Sequence, residues 1–133
     1  MKKIVIAEKE YDMDCNALTY LQYRNYFNEG ILEAVQKVQE YLIRQYTAEQ
    51  SAIDQKLNDT ERAELIGNTM SQYVDDFIIT ITKLAWIFIH TADKSIPEYT
   101  EWLESIPAFN ISEEWIIEVT EYAVACFQRQ GAK

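Results

Sequence analysis

His90 is the one imidazole of the chain, and Cys15 and Cys126 are its only thiols. Nucleophilic or metal chemistry would have to be assembled from these and from carboxylates. His90-x-x-Asp93 offers two ligands at a helix end, whereas a zinc or iron site needs three or four. The Glu-x-x-His pattern of di-iron bundles is missing, because Ile87 stands where its glutamate belongs. A Cys/His machine requires Cys15 or Cys126 to meet the single base through the fold. With no C-x-x-C unit, the two cysteines read as free, buried thiols of a reducing compartment. Asp75-Asp76 and Glu113-Glu114 are paired acids, but helix neighbours point about 100° apart and form no acid/base dyad. They read as a solvated face and as helix-start charge. Gly30, Gly67 and Gly131 lie too far apart for a phosphate-cradling loop, and no serine sits in G-x-S-x-G. The expectation is a non-enzymatic chain with no catalytic residue, no metal and no cofactor.

The composition limits the partners as well. Twelve Lys and Arg against 22 Asp and Glu leave a net charge of −10 in 133 residues. Such a chain lacks the clustered cations that neutralise phosphates, so neither nucleic acid nor an anionic membrane surface is expected as a partner. Apolar types make up 48%, enough for a sizeable core in a single domain, residues 1–133, without staples. The start, Met1-Lys2-Lys3, is followed by only four apolar residues before Glu8-Lys9-Glu10, too few for a signal peptide. The longest oily stretch, 77–89, carries Thr80, Thr82 and Lys83 and falls short of the ~20 residues of a membrane span. A cytoplasmic protein is expected.

The pattern of apolar residues predicts a mainly α fold: a small bundle of about five helices behind a short N-terminal β-hairpin. Residues 1–15 carry β-branched Ile4-Val5-Ile6, polar Glu8-Lys9, and then Tyr11 and Met13 alternating with Glu10, Asp12 and Asp14, which reads as a hairpin whose apolar face rests on the helices. The bundle occupies 16–128 and a mobile tail 129–133. Asn16 caps a first helix with Leu18, Leu21, Tyr23 and Phe27 inward, ended by Asn28-Glu29-Gly30. Ile31, Ala34, Val35, Val38, Tyr41 and Leu42 mark the second, after which 47–59 reads as loop or frayed helix. Asn58 and Asp59 cap a long segment reaching Ala92. Its polar stripe, Glu61, Glu64, Asn68, Gln72, Asp76, Thr80 and Lys83, is so thin that the helix belongs at the bundle's centre. The β-branched run 78–82 keeps a strand open as the alternative, and Gly67 is a weak point. Ser95-Ile96-Pro97-Glu98 starts a short helix closed by Pro107. Asn110 or Ser112 starts the last, with Trp115, Ile116, Val119, Tyr122, Ala123, Cys126 and Phe127 inward.

Charge is most uneven at the C-terminal end. Residues 95–128 hold seven acids and no Lys or Arg. Solubility alone explains such a stretch; the functional alternative is an acidic surface for a basic, helical partner. On that alternative Glu98, Glu101, Glu104 and Glu118 attract the partner. Tyr99, Trp102 and Trp115 are then either its anchors or part of the core.

Two blocks of the sequence resemble a known family. Lys3-Ile4-Val5-Ile6, Glu10-Tyr11-x-Met13-x-x-Asn16-Ala17-Leu18-Thr19, Tyr23-Arg24-Asn25-x-Phe27 and Ile31-Leu32 are similar to the N-terminal half of tail assembly chaperones from phages and prophages of Gram-positive bacteria. Lys83-Leu84-Ala85-Trp86, Thr91-Ala92-Asp93-Lys94-Ser95-Ile96-Pro97, Tyr99-x-x-Trp102-Leu103 and the Trp115 helix resemble its C-terminal half, in the same order. Residues 45–75 have no counterpart in the likeness. The resemblance implies a non-enzymatic helper in the host cytoplasm, absent from the mature virion. Such a helper coats and solubilises the tape measure protein and helps recruit tail tube protein around it, with self-association open. Frameshifting often makes a longer form in this family, and this chain corresponds to the short one. An acidic helical inhibitor or DNA mimic encoded by a phage or prophage is the alternative.

Overall fold

The computed structural model describes residues 1–128, so the tail expected at 129–133 lies outside the described residues. Strands β1 (Lys2–Ile6) and β2 (Lys9–Met13) form an antiparallel hairpin, followed by α1 (Ala17–Phe27), α2 (Ile31–Asp54), α3 (Asp59–Ala92), α4 (Tyr99–Glu104) and α5 (Glu114–Gln128). The mainly α bundle with an N-terminal hairpin is therefore the fold. Pairing of Ile4 with Tyr11 and of Ile6 with Lys9 puts Ile4, Ile6, Tyr11 and Met13 on one face, which joins the helical core. Between the strands, two residues with side chains carry an unusual turn: Ala7 and Glu8 both have positive φ, 52° and 69°. That is the geometry of a type I′ turn, which suits the twist of a hairpin but favours Asn-Gly.

The centre is the C-terminal half of α3. From Thr80 to His90 every side chain is buried except that of Lys83, which is half-buried. The segment is a helix, so the strand alternative falls, and Gly67 sits inside α3 without interrupting it. The expected polar stripe is solvated only as far as Asp76; it closes over at Thr80, where other elements cover the helix. Those elements are the hairpin, α1, α2 and α5, which pack around α3.

The structure corrects the expected inward faces of α1 and α2 and the expected start of α4, and decides between loop and helix for residues 47–54. In α1 the buried residues are Thr19 and Tyr23, whereas Leu18 and Leu21 are exposed, Leu21 at 57%. The helix is turned so that polar groups find partners: Thr19 Oγ1 meets Thr91 Oγ1 at 3.0 Å and Tyr23 OH donates to Glu29 Oε1 at 2.9 Å. Left buried and unsatisfied, those groups would each cost about 1–3 kcal/mol, which is comparable with the gain from burying a leucine. Next, residues 47–54 are helix. Ala48 and Ala52, one turn apart, are buried where α2 runs along α3, and side chains this small leave little apolar periodicity to read. Leu42, placed inward by the same periodicity, is 41% exposed. Finally, α4 begins at Tyr99 and ends before Ser105, not at the Ser95 cap. The Ser95 backbone N–H and hydroxyl both donate to Asp93 Oδ1, at 3.0 and 2.6 Å, and the Pro97 carbonyl accepts the Trp86 indole at 2.9 Å. Proline also disfavours helical backbone at Ile96 before it.

The caps are as the residue types require. Asn16 and Asn58 each form a reciprocal capping box, with Thr19 and Glu61. Asn28 adopts the left-handed conformation that ends α1, a role Asn tolerates, and Gly30 instead precedes α2.

Left-handed backbone at residues with a Cβ costs about 1–2 kcal/mol each. Replacing Ala7-Glu8 with Asn-Gly is therefore expected to raise unfolding free energy by about 1 kcal/mol, read as a higher urea midpoint at unchanged m-value. A lower midpoint would contradict the turn geometry.

Candidate partner-binding surface

The three tryptophans are placed by their indole N–H groups. Trp86 holds the Pro97 carbonyl, Trp102 donates to Tyr11 OH at 3.3 Å, and Trp115 donates to Glu113 Oε2 at 2.9 Å. Trp102 and Trp115 are 1% and 3% exposed, so of the two readings offered by their sequence they take the core one. They offer a partner almost no ring surface. Tyr99 is half-buried, with its ring edge-on to Phe27 and its hydroxyl 2.7 Å from Thr82 Oγ1. Burial pushes its phenol above the usual range, although the Thr82 hydrogen bond opposes this. Together Trp102 and Tyr99 pin α4 to the core and leave its acids outside.

Glu98, Glu101 and Glu104 are exposed and recur at every third residue along the short α4. Glu118 is elsewhere: half-buried on α5, it lines a shallow cleft with Glu114, Trp115 and residues Lys3, Ile4 and Val5 of β1. The acidic stretch thus divides between two elements.

His90 and the two cysteines have different surroundings. His90 stacks on Trp86 at 4.8 Å and meets Tyr26 edge-on at 5.4 Å. No hydrogen-bond partner reaches its buried Nδ1. Cys15 and Cys126, distant in sequence, are free, half-buried and adjacent, where Tyr20 packs on Phe127. Burial, with Cys126 alongside, pushes the Cys15 thiol up to about 12, so the reactive thiolate is scarce at neutral pH. Among the described residues no group of three or more His, Cys, Asp or Glu is placed to hold a metal ion, and no helix is long and apolar enough to cross a membrane.

A half-buried charged cluster ties the α1–α2 turn to α3. Glu29, in the α1–α2 turn, accepts from Tyr23 OH and, at 3.1 Å, from Lys83 Nζ of α3, with Lys37 Nζ at 4.0 Å. Burial alone would raise the Glu29 carboxyl; the Lys83 and Tyr23 hydrogen bonds, with the charges of Lys83 and Lys37, outweigh it and hold it below the usual carboxylate range.

Sequence reasoning missed an apolar groove of about 430 Å³ between α2 and α5. Tyr41, Leu42 and Gln45 form one wall, Phe77 the floor, and Ile111, Ile116, Ile117, Thr120 and Glu121 the other wall. Ile117, 52% exposed, was the available signal: it is apolar yet falls outside the inward face of α5. No protein-family model, curated protein or solved structure matches the chain.

His90 and Glu29 each make acid destabilising. Burial, aided by the Lys94 charge, lowers the His90 pKa below 6.5. The unfolded chain therefore takes up that proton first, and stability present above about pH 6.5 is lost as pH falls. Glu29 acts likewise lower down, stabilising above its ordinary value near 4.3 and losing this as pH falls through its depressed one. Urea midpoints are expected to drop from pH 7.5 to 5.5, less so in His90→Leu, and again below pH 4, less so in Glu29→Gln. At pH 7, Glu29→Gln should cost about 1–3 kcal/mol. Midpoints independent of pH between 7.5 and 5.5 in the wild-type chain would contradict the neutral His90.

Proposed function

We propose that this chain is a phage tail assembly chaperone of the Gram-positive type: a non-enzymatic cytoplasmic protein, absent from the mature virion, that binds and solubilises the tape measure protein and helps recruit tail tube protein. The observation that carries the reading is the two-block resemblance, which spans the hairpin, α1 and the start of α2, then the end of α3 through α5. The surface supports it. A long amphipathic helix without its tube exposes an apolar stripe that self-associates, and a helper must cover the stripe while adding charge. This chain carries a net charge of −10 and leaves Leu42, Ile43, Tyr46 and Ile117 exposed on helices. Apolar residues of this kind favour docking on an apolar stripe over the carboxylate-for-phosphate mimicry of an acidic inhibitor. The exposed Glu98, Glu101 and Glu104 steer a basic partner, contributing more to encounter rate than to affinity.

Co-expression with the tape measure protein encoded beside it tests the reading. The partner is expected to be soluble with the wild-type chain and insoluble without it. Equal insolubility in both would refute the chaperone role. Binding is expected to weaken only modestly from 50 to 300 mM salt, because screened carboxylates lose reach while apolar contacts persist.

A further inference from the structure

The α2–α5 groove has a definite chemistry. Most of its lining sits on α2, α3 and α5, whose backbone groups bond within the helices, with only Ile111 and Ser112 on the segment before α5, so an occupant gains few main-chain hydrogen bonds and must bring a backbone largely satisfied already. That requirement selects a helix over an extended peptide. The lining is apolar apart from Gln45, Ser112, Thr120 and Glu121, and no Lys or Arg contributes to it. Glu114 and Glu121, both exposed, bracket Ile117 by three and four positions along α5, one helical turn to either side. The α2 cations Lys37 and Arg44 line an adjoining hollow that shares Tyr41 and Phe77 with the groove; there Arg44 lies over the Tyr73 ring at 4.4 Å, and Glu40 and Asp76 offset the two charges. An apolar slot edged by carboxylates is complementary to an apolar stripe flanked by cations. A second copy of this chain is disfavoured as occupant, since it would bring another charge of −10 against the same acids.

We propose that the α2–α5 groove is the seat of a partner's basic amphipathic helix, with Leu42, Phe77 and Ile117 taking its apolar stripe and Glu114 and Glu121 its lysines and arginines. The identity of that partner as the tape measure protein rests on the function proposed above. The anchors are thus the groove residues instead of the buried Trp102 and Trp115. The α4 acids act at a distance.

The test uses the full chain and a fluorescein-labelled, 18-residue designed peptide with leucines at i, i+3, i+4 and i+7 and flanking lysines, beside a twin with flanking glutamates. Fluorescence anisotropy is expected to register binding of the lysine peptide only. Ile117→Glu adds a negative charge, so general electrostatic attraction would tighten binding, whereas occupancy of the groove predicts a loss of about tenfold or more. Glu121→Lys, at an exposed position, should weaken binding several-fold and carries the test if Ile117→Glu fails to fold. The triple variant Glu98→Lys, Glu101→Lys, Glu104→Lys should change it far less than Ile117→Glu. Unchanged or tighter binding by the folded Ile117→Glu and Glu121→Lys variants overturns the proposal, as does equal binding of the glutamate peptide. A wild-type dimer in sedimentation that Ile117→Glu dissociates also overturns it, by making a second copy the occupant. Co-expression separates the two readings. If the tape measure protein stays insoluble with a wild-type chain that binds the peptide through the groove, the chaperone role fails and the helix seat stands. If wild type and folded Ile117→Glu solubilise it equally, the role stands and the groove is not its seat.

Discussion

Everything in this fold answers to one helix that is apolar nearly all round. Residues 80–90 of α3 have only one side chain, that of Lys83, that is not fully enclosed. A helix without a wet face is stable only when neighbours cover every side of it. The hairpin, α1, α2 and α5 meet that need from different directions, and no one of them suffices. A two-stranded hairpin is marginal alone, and its Ile4, Ile6 and Met13 are buried only because α3 and α5 lie beneath it. The Asp14 backbone N–H even donates to the Phe88 carbonyl at 3.0 Å, where strand gives way to helix.

Enclosing that helix also encloses its polar groups, and the periphery is organised around satisfying them. Lys83 reaches Glu29, which fixes the turn between α1 and α2. Thr82 holds the Tyr99 hydroxyl and Trp86 holds the Pro97 carbonyl, so the connection from α3 to α4 is tied down by two side chains of the central helix. Thr91 does the same for α1 through Thr19. Within residues 80–90 the His90 Nδ1 lacks a partner; the ring stacks on Trp86, and burial lowers its pKa, favouring the neutral form. Each of these bonds is modest in net energy, but leaving any of the buried groups unmade would be costly. The result is that short, irregular segments hold defined positions.

What remains at the surface follows from the same arrangement. Because the aromatic residues of the C-terminal third are drawn inward to cover α3, its carboxylates are left outside, on α4 and along α5. Because α2 and α5 both lean on Phe77, a slot stays open between them, with Leu42 and Ile117 on its rims. Acidic charge beside uncovered apolar surface is the combination a soluble helper of a basic, helical protein needs: the charge keeps the complex in solution and the apolar surface supplies contact.

Much of this was legible in the residues. The hairpin, the five helices, the Asn16 and Asn58 caps and the central position of α3 follow from alternation, helical spacing and capping chemistry, which act over a few residues. The acidic, cation-free C-terminal stretch is equally a property of the sequence. Tertiary contact decided the rest. Nothing local distinguishes Leu18 and Leu21 from core residues; they are outside because Thr19 and Tyr23 have buried partners at Thr91 and Glu29, residues on other elements. Ala48 and Ala52 carry too little apolar surface to mark a face, and α3 running alongside makes them interior. Trp102 and Trp115 could as well have stood at an acidic edge, until Tyr11 and the rest of the core closed over them. The groove exists only where two helices distant in sequence are propped on a third, and periodicity along one helix contains no information about the gap between two.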